Sequence, residues 1–321
     1  MILNKIKRKS KIKKIIKMKK ICIIGSIGYD LTTYMYQFPK AGETIVGKKF
    51  AQNPGGKGDN QAVSAARAGG YTSFLGAIGD DSYGEILKKN LEDNNVKHYL
   101  KVVPNMSCQI ATILVDQNGQ NSIIIVPGAN NYVDIKQIDD NEKLIDEHDI
   151  ILLQLEIPME TVEYVVDKFY PLNKIIILNP APGAALSDNI IKKCTYLTPN
   201  ENEIGLITKM PYETIDDIKS AAKCLLDKGA QNVLVTIGEK GAYLKNKEQD
   251  LIIPTIKVKA IDTTGAGDCF NGVFATYLAM GKDVIEAIKY ANVASSISVT
   301  RSGTVPSLPY RNEVDEKFKE L

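Results

Sequence analysis

DIILLQLEIPMETVEYVVDKFYPLNKIIILNP, residues 149–180, decides the fold. It opens on an apolar run, DIILLQLE (149–156), crosses a stretch of helical spacing at about 158–169, and closes on a second apolar run, KIIILNP (174–180). Short runs without polar alternation are buried on both faces, and two of them joined by a helix make a βαβ unit. The same pattern spreads outward in both directions. CTYLTPN (194–200) and QNVLVTIG (231–238) read as further strands, with helices at about 213–228 and after 265. Upstream, KICIIG (20–25) and TSFLGAIG (72–79) are buried strands, and residues 57–70 and 81–94 are helices. Strands alternating with helices predict an α/β fold with a mostly parallel central sheet covered on both faces. Ligands in such folds sit beyond the carboxyl ends of the strands. Two antiparallel insertions, at about 31–51 and 98–126, predict a small β lid. The second contains a hairpin in which CQIATILV and NSIIIV flank the turn Asp116-Gln117-Asn118-Gly119.

Composition narrows the classes. The chain has 321 residues, 44% apolar and 24% charged, the balance of a soluble globular protein. No apolar run approaches the ~20 residues of a membrane span, so no membrane association is expected. Five scattered cysteines (22, 108, 194, 224 and 269) and two histidines (His98, His148) offer no CxxC pair. That argues against a zinc cluster or a disulfide framework and for a reducing, cytoplasmic setting. Eight basic residues and no acid fall within residues 1–17; removing them from a net charge of +2 leaves −6. The folded body is therefore acidic, and no nucleic-acid partner is expected. Residues 1–19 read as a disordered basic extension, with a second possible start at Met18, and residues 20–321 as a single domain.

Two segments carry chemistry. In AIDTTGAGDCFNGVFATYLAMG (260–281) a strand-like lead enters the turn Gly265-Ala266-Gly267 and a helix begins at once. Free amides at a helix start, favoured by the macrodipole, make a hole for an anion such as a transferring phosphoryl group. Asp268 follows immediately, placed either to take a proton from an attacking hydroxyl or merely to cap the helix. Cys269 stands next to it; a packed, inert cysteine is the reading favoured over a reactive thiol. In NPGGKGDNQAVSAARAGG (53–70) glycines surround Lys57 in a way that suits close backbone approach to a small polar ligand, with Asn60 one turn on. Neither this segment nor Gly25–Asp30 has the spacing of a Walker A loop or a dinucleotide fingerprint.

These two segments, in this order, resemble the signature regions of the ribokinase family of sugar kinases. QLEIP (154–158), LNPAPG (178–183), TPNENE (198–203), TIGEKG (236–241) and VTRSGTVPSLP (299–309) extend the resemblance from about residue 20 to the C-terminus. It implies a three-layer α/β sandwich with a β lid, a homodimer formed through the lid, and transfer of phosphate from ATP to the 5-hydroxyl of D-ribose. By position, it implies that Asp30, Gly56, Lys57, Asn60 and Glu156 contact the sugar and that Asp268 is the catalytic base, with Gly265, Ala266 and Gly267 as the anion hole. Asn200 and Glu203 match the pair that organises Mg²⁺ and the phosphates through water, Asn200 as a nucleotide contact. Thr236, Gly238, Gly241, Gly267 and Asn292 match nucleotide contacts. Asp262, Thr264, Ser298, Arg301, Gly303 and Ser307 match a loop for an activating K⁺. Two departures bear on the sugar. Relatives often carry Asn at the position of Gly28, which implies one lost hydrogen bond. Asp59 replaces a small residue and reads as a solvated helix-start charge. Fructose, deoxyribose or a nucleoside as substrate stays open, with Tyr34, Tyr36 and Phe38 as a platform for a base, and so does a catalytically silent sugar-binding protein.

Overall fold

Alternate residues of the first strand, Lys20–Ile24 (β1), enter different cores. Ile21 and Ile23 pack with Val63, Ala275 and Val293 on one face of the central sheet, and Cys22 and Ile24 pack with Val166, Ile190 and Ala222 on the other. All four are fully buried, so the strand has no solvent face to which a charged substitution could turn. A computed structural model describes residues 18–321. The basic run of residues 1–17 lies outside the described residues. Lys19, assigned to the extension on sequence, donates its amide to Ala279 O at 3.0 Å and so belongs to the body.

The remaining strands are Gly28–Tyr34 (β2), Lys49–Gly55 (β3), Tyr71–Gly79 (β4), Lys97–Val103 (β5), Gln109–Val115 (β6), Asn121–Val126 (β7), Ile150–Leu153 (β8), Ile175–Leu178 (β9), Tyr196–Leu197 (β10), Val233–Thr236 (β11), Ala242–Lys245 (β12) and Asp250–Ile253 (β13). The central sheet runs β13-β12-β11-β10-β9-β8-β1-β4-β5. It is parallel from β11 to β5, with β12 and β13 added antiparallel at one edge. The chain builds outward from β1 to β4 and β5, then returns to β8 on the other side of β1. The seam between β1 and β8 is therefore the switch point where such sheets open a crevice. Helices cover both faces, which makes the three-layer sandwich the sequence predicts.

The second sheet is β3-β2-β6-β7. Its boundaries differ from the expected 98–126. Residues 97–103 pair in parallel with β4 as the edge of the main sheet, and the second sheet resumes only at Gln109. The misreading has a physical cause: an edge strand covered by less of the core shows partial burial all along its length, like a lid strand. The first insertion likewise forms strands at 28–34 and 49–55 around an irregular middle. CTYLTPN keeps only two strand residues; Thr198–Asn200 still bonds to Leu178 and Thr236 on the neighbouring strands, but Asn200 already starts the next helix.

Candidate active site

The site assembles where strands of the main sheet end. Ser26 follows β1 and Glu156 follows β8, and Ser26 Oγ donates to Glu156 Oε2 at 2.6 Å across the switch-point seam. The amide of Lys57 donates to the same oxygen at 3.1 Å, which ties the start of the helix Lys57–Arg67 to the seam. The glycines around Lys57 serve the protein itself. A Cβ on Gly56, where φ is +89°, would lie 2.9 Å from Gly28 N, and one on Gly58 would lie 2.6 Å from Ser26 O. The close backbone approach is that of the helix start against the β1–β2 turn.

The helix Ala266–Ala279 crosses this first helix almost in backbone contact. A Cβ on Gly272 would sit 2.5 Å from Gln61 O, so only glycine permits the crossing. One turn earlier the crossing delivers Asp268 between two amides. Asn60 Nδ2 donates to its Oδ2 at 3.0 Å and Gln61 Nε2 to its Oδ1 at 2.9 Å. No side chain caps the helix at Gly265, and the carboxylate turns instead to residues some two hundred positions upstream. The capping alternative for Asp268 is thereby removed. Burial pushes its carboxyl above the ordinary value of 3.8, while the Lys57 ammonium and the two amides pull the other way.

Lys57 is the centre of the polar cluster. Burial alone draws its ammonium down, yet Asp268, Glu156, Glu203 and Asp30 together hold it above its ordinary value. Asp30, on β2, accepts from Thr304 Oγ1 at 3.3 Å; the same hydroxyl donates to Pro54 O at 3.0 Å and links the second sheet to the loop after residue 300. Burial first, then the nearby Glu156 and Asp268, push the Asp30 carboxyl up to about 7. The structure thus brings Asp30, Gly56, Lys57, Asn60, Glu156 and Asp268 into one cluster.

On the other side of Asp268 opens a cleft of about 720 Å³. Asn200, Thr236, Gly238, Ala266, Gly267 and Asn292 all line it. Gly241 does not; with φ at +99° and a Cβ that would meet Ile253 O at 2.2 Å, it shapes the turn behind the wall. Asn292 spends its amide nitrogen on Ile253 O and Pro254 O, at 2.9 and 3.2 Å, and so props up the facing wall. That wall, Thr255–Val258, escapes sequence reading because it is neither helix nor strand. Ile256, Val258 and Phe270 make this end of the cleft apolar, suited to a flat aromatic base. At the other end Gly265 takes φ +75°, and the amides of Gly267 and Asp268 fall in the first helical turn, where no earlier helical carbonyl accepts them. A Cβ on Gly267 would meet no protein atom within 4 Å. The room in front of it is open to a ligand.

Asn200 and Glu203 form a capping box: Glu203 Oε2 accepts from Asn200 N at 2.8 Å, Glu203 Oε1 from Asn200 Nδ2 at 3.0 Å, and Asn200 Oδ1 from Glu203 N at 2.8 Å. The two segments read as a cation loop do meet. Asp262 accepts from Thr264 N through Oδ1 and from Gly303 N through Oδ2, both at 2.9 Å. Arg301 pairs with Glu313, which takes its guanidinium away from a cation, and the hydroxyls of Ser298 and Ser307 donate to Ser295 O and Thr304 O.

One departure is corrected. Asp59 is not solvated: it is fully buried, both its oxygens accept from Asn90 Nδ2, and burial raises its carboxyl well above the ordinary range. At Gly28 the side chain of Gln109 lies across the space a side chain would take. Sequence reading also missed a buried relay behind the base. Gln154 Nε2 donates to Gln61 Oε1 at 2.6 Å, and Gln61 Nε2 reaches Asn179 Oδ1 at 3.1 Å as well as Asp268. The available signal was a helix, KGDNQAVSAAR, with polar residues where a core helix is normally apolar.

The pattern of the pfkB family carbohydrate kinases matches residues 18–311. The chain belongs to the pfkB family of carbohydrate kinases. It is 39% identical to a deoxyribokinase of Salmonella typhi over 298 residues, covering 92% of this chain and 97% of that one. It is 40% identical to a ribokinase of Bacillus subtilis over 302 residues, covering 93% and 99%. The structure of Arabidopsis thaliana ribokinase complexed with ribose and ATP superposes with a TM-score of 0.88 at 32% identity, over 94% of this chain and 99% of that one. Among the described residues of this carbohydrate kinase, no helix is long and apolar enough to cross a membrane.

Proposed function

We propose that this carbohydrate kinase transfers the γ-phosphoryl group of ATP to the 5-hydroxyl of D-ribose. One observation carries the reading: Asp268 directly follows Gly267, which lines the cleft, while its carboxylate is held by Asn60 and Gln61 in the polar cluster near Lys57. The sugar occupies the cluster, with Asp30, Lys57, Asn60 and Glu156 as its partners, and the nucleotide occupies the cleft. The 5-oxygen attacks the γ-phosphorus as the bond to the bridging oxygen of the β-phosphate breaks, and ADP leaves with that electron pair. The hydroxyl proton passes to Asp268, whose raised pKa makes it a better base than a solvated carboxylate. The first-turn amides of Gly267 and Asp268 hold the charge that grows on the phosphoryl oxygens.

Mg²⁺ enters this reading with the nucleotide. Among the described residues no three His, Cys, Asp or Glu side chains cluster as a metal cage, and the carboxylate of Glu203 is already held by Asn200. Such a pair suits water-mediated contact to a cation that keeps much of its hydration. Bound Mg²⁺ would neutralise phosphate charge. K⁺, held by carbonyls of the segments that Asp262 ties together, would order the anion hole next to it. The apolar, exposed edge strand β7, with Ile124 and Val126 at 62% and 54% exposure, supports a homodimer through the second sheet.

Similarity to a deoxyribokinase at the level of the ribokinases favours 2-deoxyribose as the second reading. ATP consumption across ribose, 2-deoxyribose, fructose, other hexoses and nucleosides tests both, each in K⁺ and in Na⁺ buffer. Ribose is expected to give the highest kcat/KM, and K⁺ to raise the rate. Preference for 2-deoxyribose replaces the first reading with the second, and no sugar-dependent turnover refutes both.

A further inference from the structure

Gly28 and Gln109 are register partners on the parallel strands β2 and β6. Parallel partners project to the same face of a sheet, and so do residues two apart on one strand. Gln109, Gly28 and Asp30 therefore share a face, the one from which Asp30 meets the Lys57 cluster. A Cβ built on Gly28 would lie 2.8 Å from Gln109 Cβ, 2.9 Å from its Cγ and 3.0 Å from its Nε2. The glutamine thus fills the volume that a side chain at position 28 would take.

Its amide is held in one orientation. Asn130 Nδ2 donates to Gln109 Oε1 at 2.8 Å, and Asn130 is itself fixed on the Ile27 peptide, accepting from Ile27 N and donating to Ile27 O, both at 3.1 Å. Asn130 is fully buried and Gln109 is 3% exposed. With Oε1 committed to Asn130, Nε2 faces the other way. It donates to no group among the described residues, and it is not one of the polar atoms sealed from solvent. A nearly buried, clamped amide with an open N–H donor is built to meet something that comes and goes.

We propose that Gln109 is a specificity-determining residue of the sugar site: its Nε2 donates a hydrogen bond to a sugar hydroxyl other than the one that is phosphorylated. The donor complements Asp30, an acceptor on the same face, so the pair reads hydroxyls from the second sheet while Asp268 works from the main body. The proposal rests on the sugar-kinase reading of the site.

The test uses the full-length enzyme with D-ribose and its 2-deoxy and 3-deoxy analogues. Gln109→Met keeps length and loses the amide. It is expected to lower kcat/KM for ribose about 10- to 100-fold, mostly through KM, with the KM for ATP unchanged. For the analogue that lacks the hydroxyl read by Gln109, variant and unaltered enzyme should be equal. Gly28→Asn alone should be impaired, because its Cβ would collide with Gln109. Gly28→Asn combined with Gln109→Gly moves a carboxamide to the neighbouring strand and should recover most of the ribose kcat/KM. An equal loss on ribose and on both analogues would reduce Gln109 to packing and overturn the proposal, as would no loss at all. Should Gln109→Met fail to fold, the doubly substituted enzyme decides alone by whether it discriminates ribose from the analogues. Turnover of ribose by the unaltered enzyme keeps the two levels apart. A chain that phosphorylates no sugar sinks both readings, whereas ribose turnover untouched by these variants sinks only the role of Gln109.

Discussion

Replacing Asp268 by Asn separates its work as a base from its work in the buried network. The carboxylate accepts from two donors, Asn60 Nδ2 and Gln61 Nε2, so an amide placed there turns one of its own N–H groups toward a donor. Gln61 has no freedom to adapt: its Nε2 also serves Asn179, and its Oε1 accepts from Gln154. Asn60 does have it, because its Oδ1 is buried without a partner. Rotating the Asn60 amide by half a turn presents that oxygen to the new N–H and puts Nδ2 where the oxygen had no partner, so one unpaired buried group replaces another and their number does not rise. Asp268→Asn should therefore fold as well as the unaltered chain, or better, since a carboxylate that burial disfavours is gone. The sugar KM should hardly move. The rate of phosphoryl transfer should fall about 10²–10⁴-fold, the usual worth of general-base help. Asp268→Ala makes the contrast: two buried donors lose their acceptor at about 1–3 kcal/mol each, so it should lose stability as well as rate. Steady-state kinetics with thermal melts on both variants give the answer. Near-normal kcat in Asp268→Asn would refute the base. A melt of Asp268→Asn as low as that of Asp268→Ala would refute the rotation of Asn60.

Asp30 should make the free enzyme less stable as pH rises. Its folded pKa is raised to about 7 from an ordinary 3.8, so its contribution is fully present below about pH 4 and lost as pH climbs through 7. About three pH units at about 1.4 kcal/mol each bound the effect near 4 kcal/mol. Asp30→Asn should thus gain in melting temperature over the unaltered enzyme between pH 4 and 8 while losing sugar affinity; a constant gap across that range would count against the raised pKa. Cys269 is fully buried and its thiol is pushed up to about 12 by burial, so iodoacetamide at neutral pH should leave it unlabelled while half-buried Cys224 reacts. Peptide mapping reads this directly, and loss of activity in step with label on Cys269 would overturn it.

What the sequence made legible follows from how each part is buried. Strands β1, β4, β8, β9 and β11 are covered on both faces, and that demand leaves only uninterrupted apolar runs, which are read to within two or three residues. β5 was misassigned because an edge position relaxes the demand, and the short hairpin β12–β13 was missed because Asn246–Gln249 reads as loop and the flanking strands are four residues each. Most of the residues carried over by position lie together, because Gly56, Lys57, Asn60, Glu156, Asn200 and Asp268 stand just past a strand end or in the first turn of a helix, where sequence order places them at one end of the sheet; Gly241 stands apart, outside the cleft lining.

What stayed hidden depends on contacts between segments far apart in the chain. Asp59 looked like a solvated charge because the first turn of a helix favours an acid, and nothing local shows that the helix Ser82–Asp93 lays Asn90 over it. Gln61 and Gln154 look like ordinary polar residues until the crossing at Gly272 brings one against Asp268 and the other behind it. Gly28 shows the same limit from the other side. A missing side chain reads as a missing hydrogen bond only while the neighbouring strand is unknown. Once β6 is paired in register with β2, an amide is found one strand away, and whether the departure at Gly28 relocates a donor or loses it becomes the question that the Gln109 variants answer.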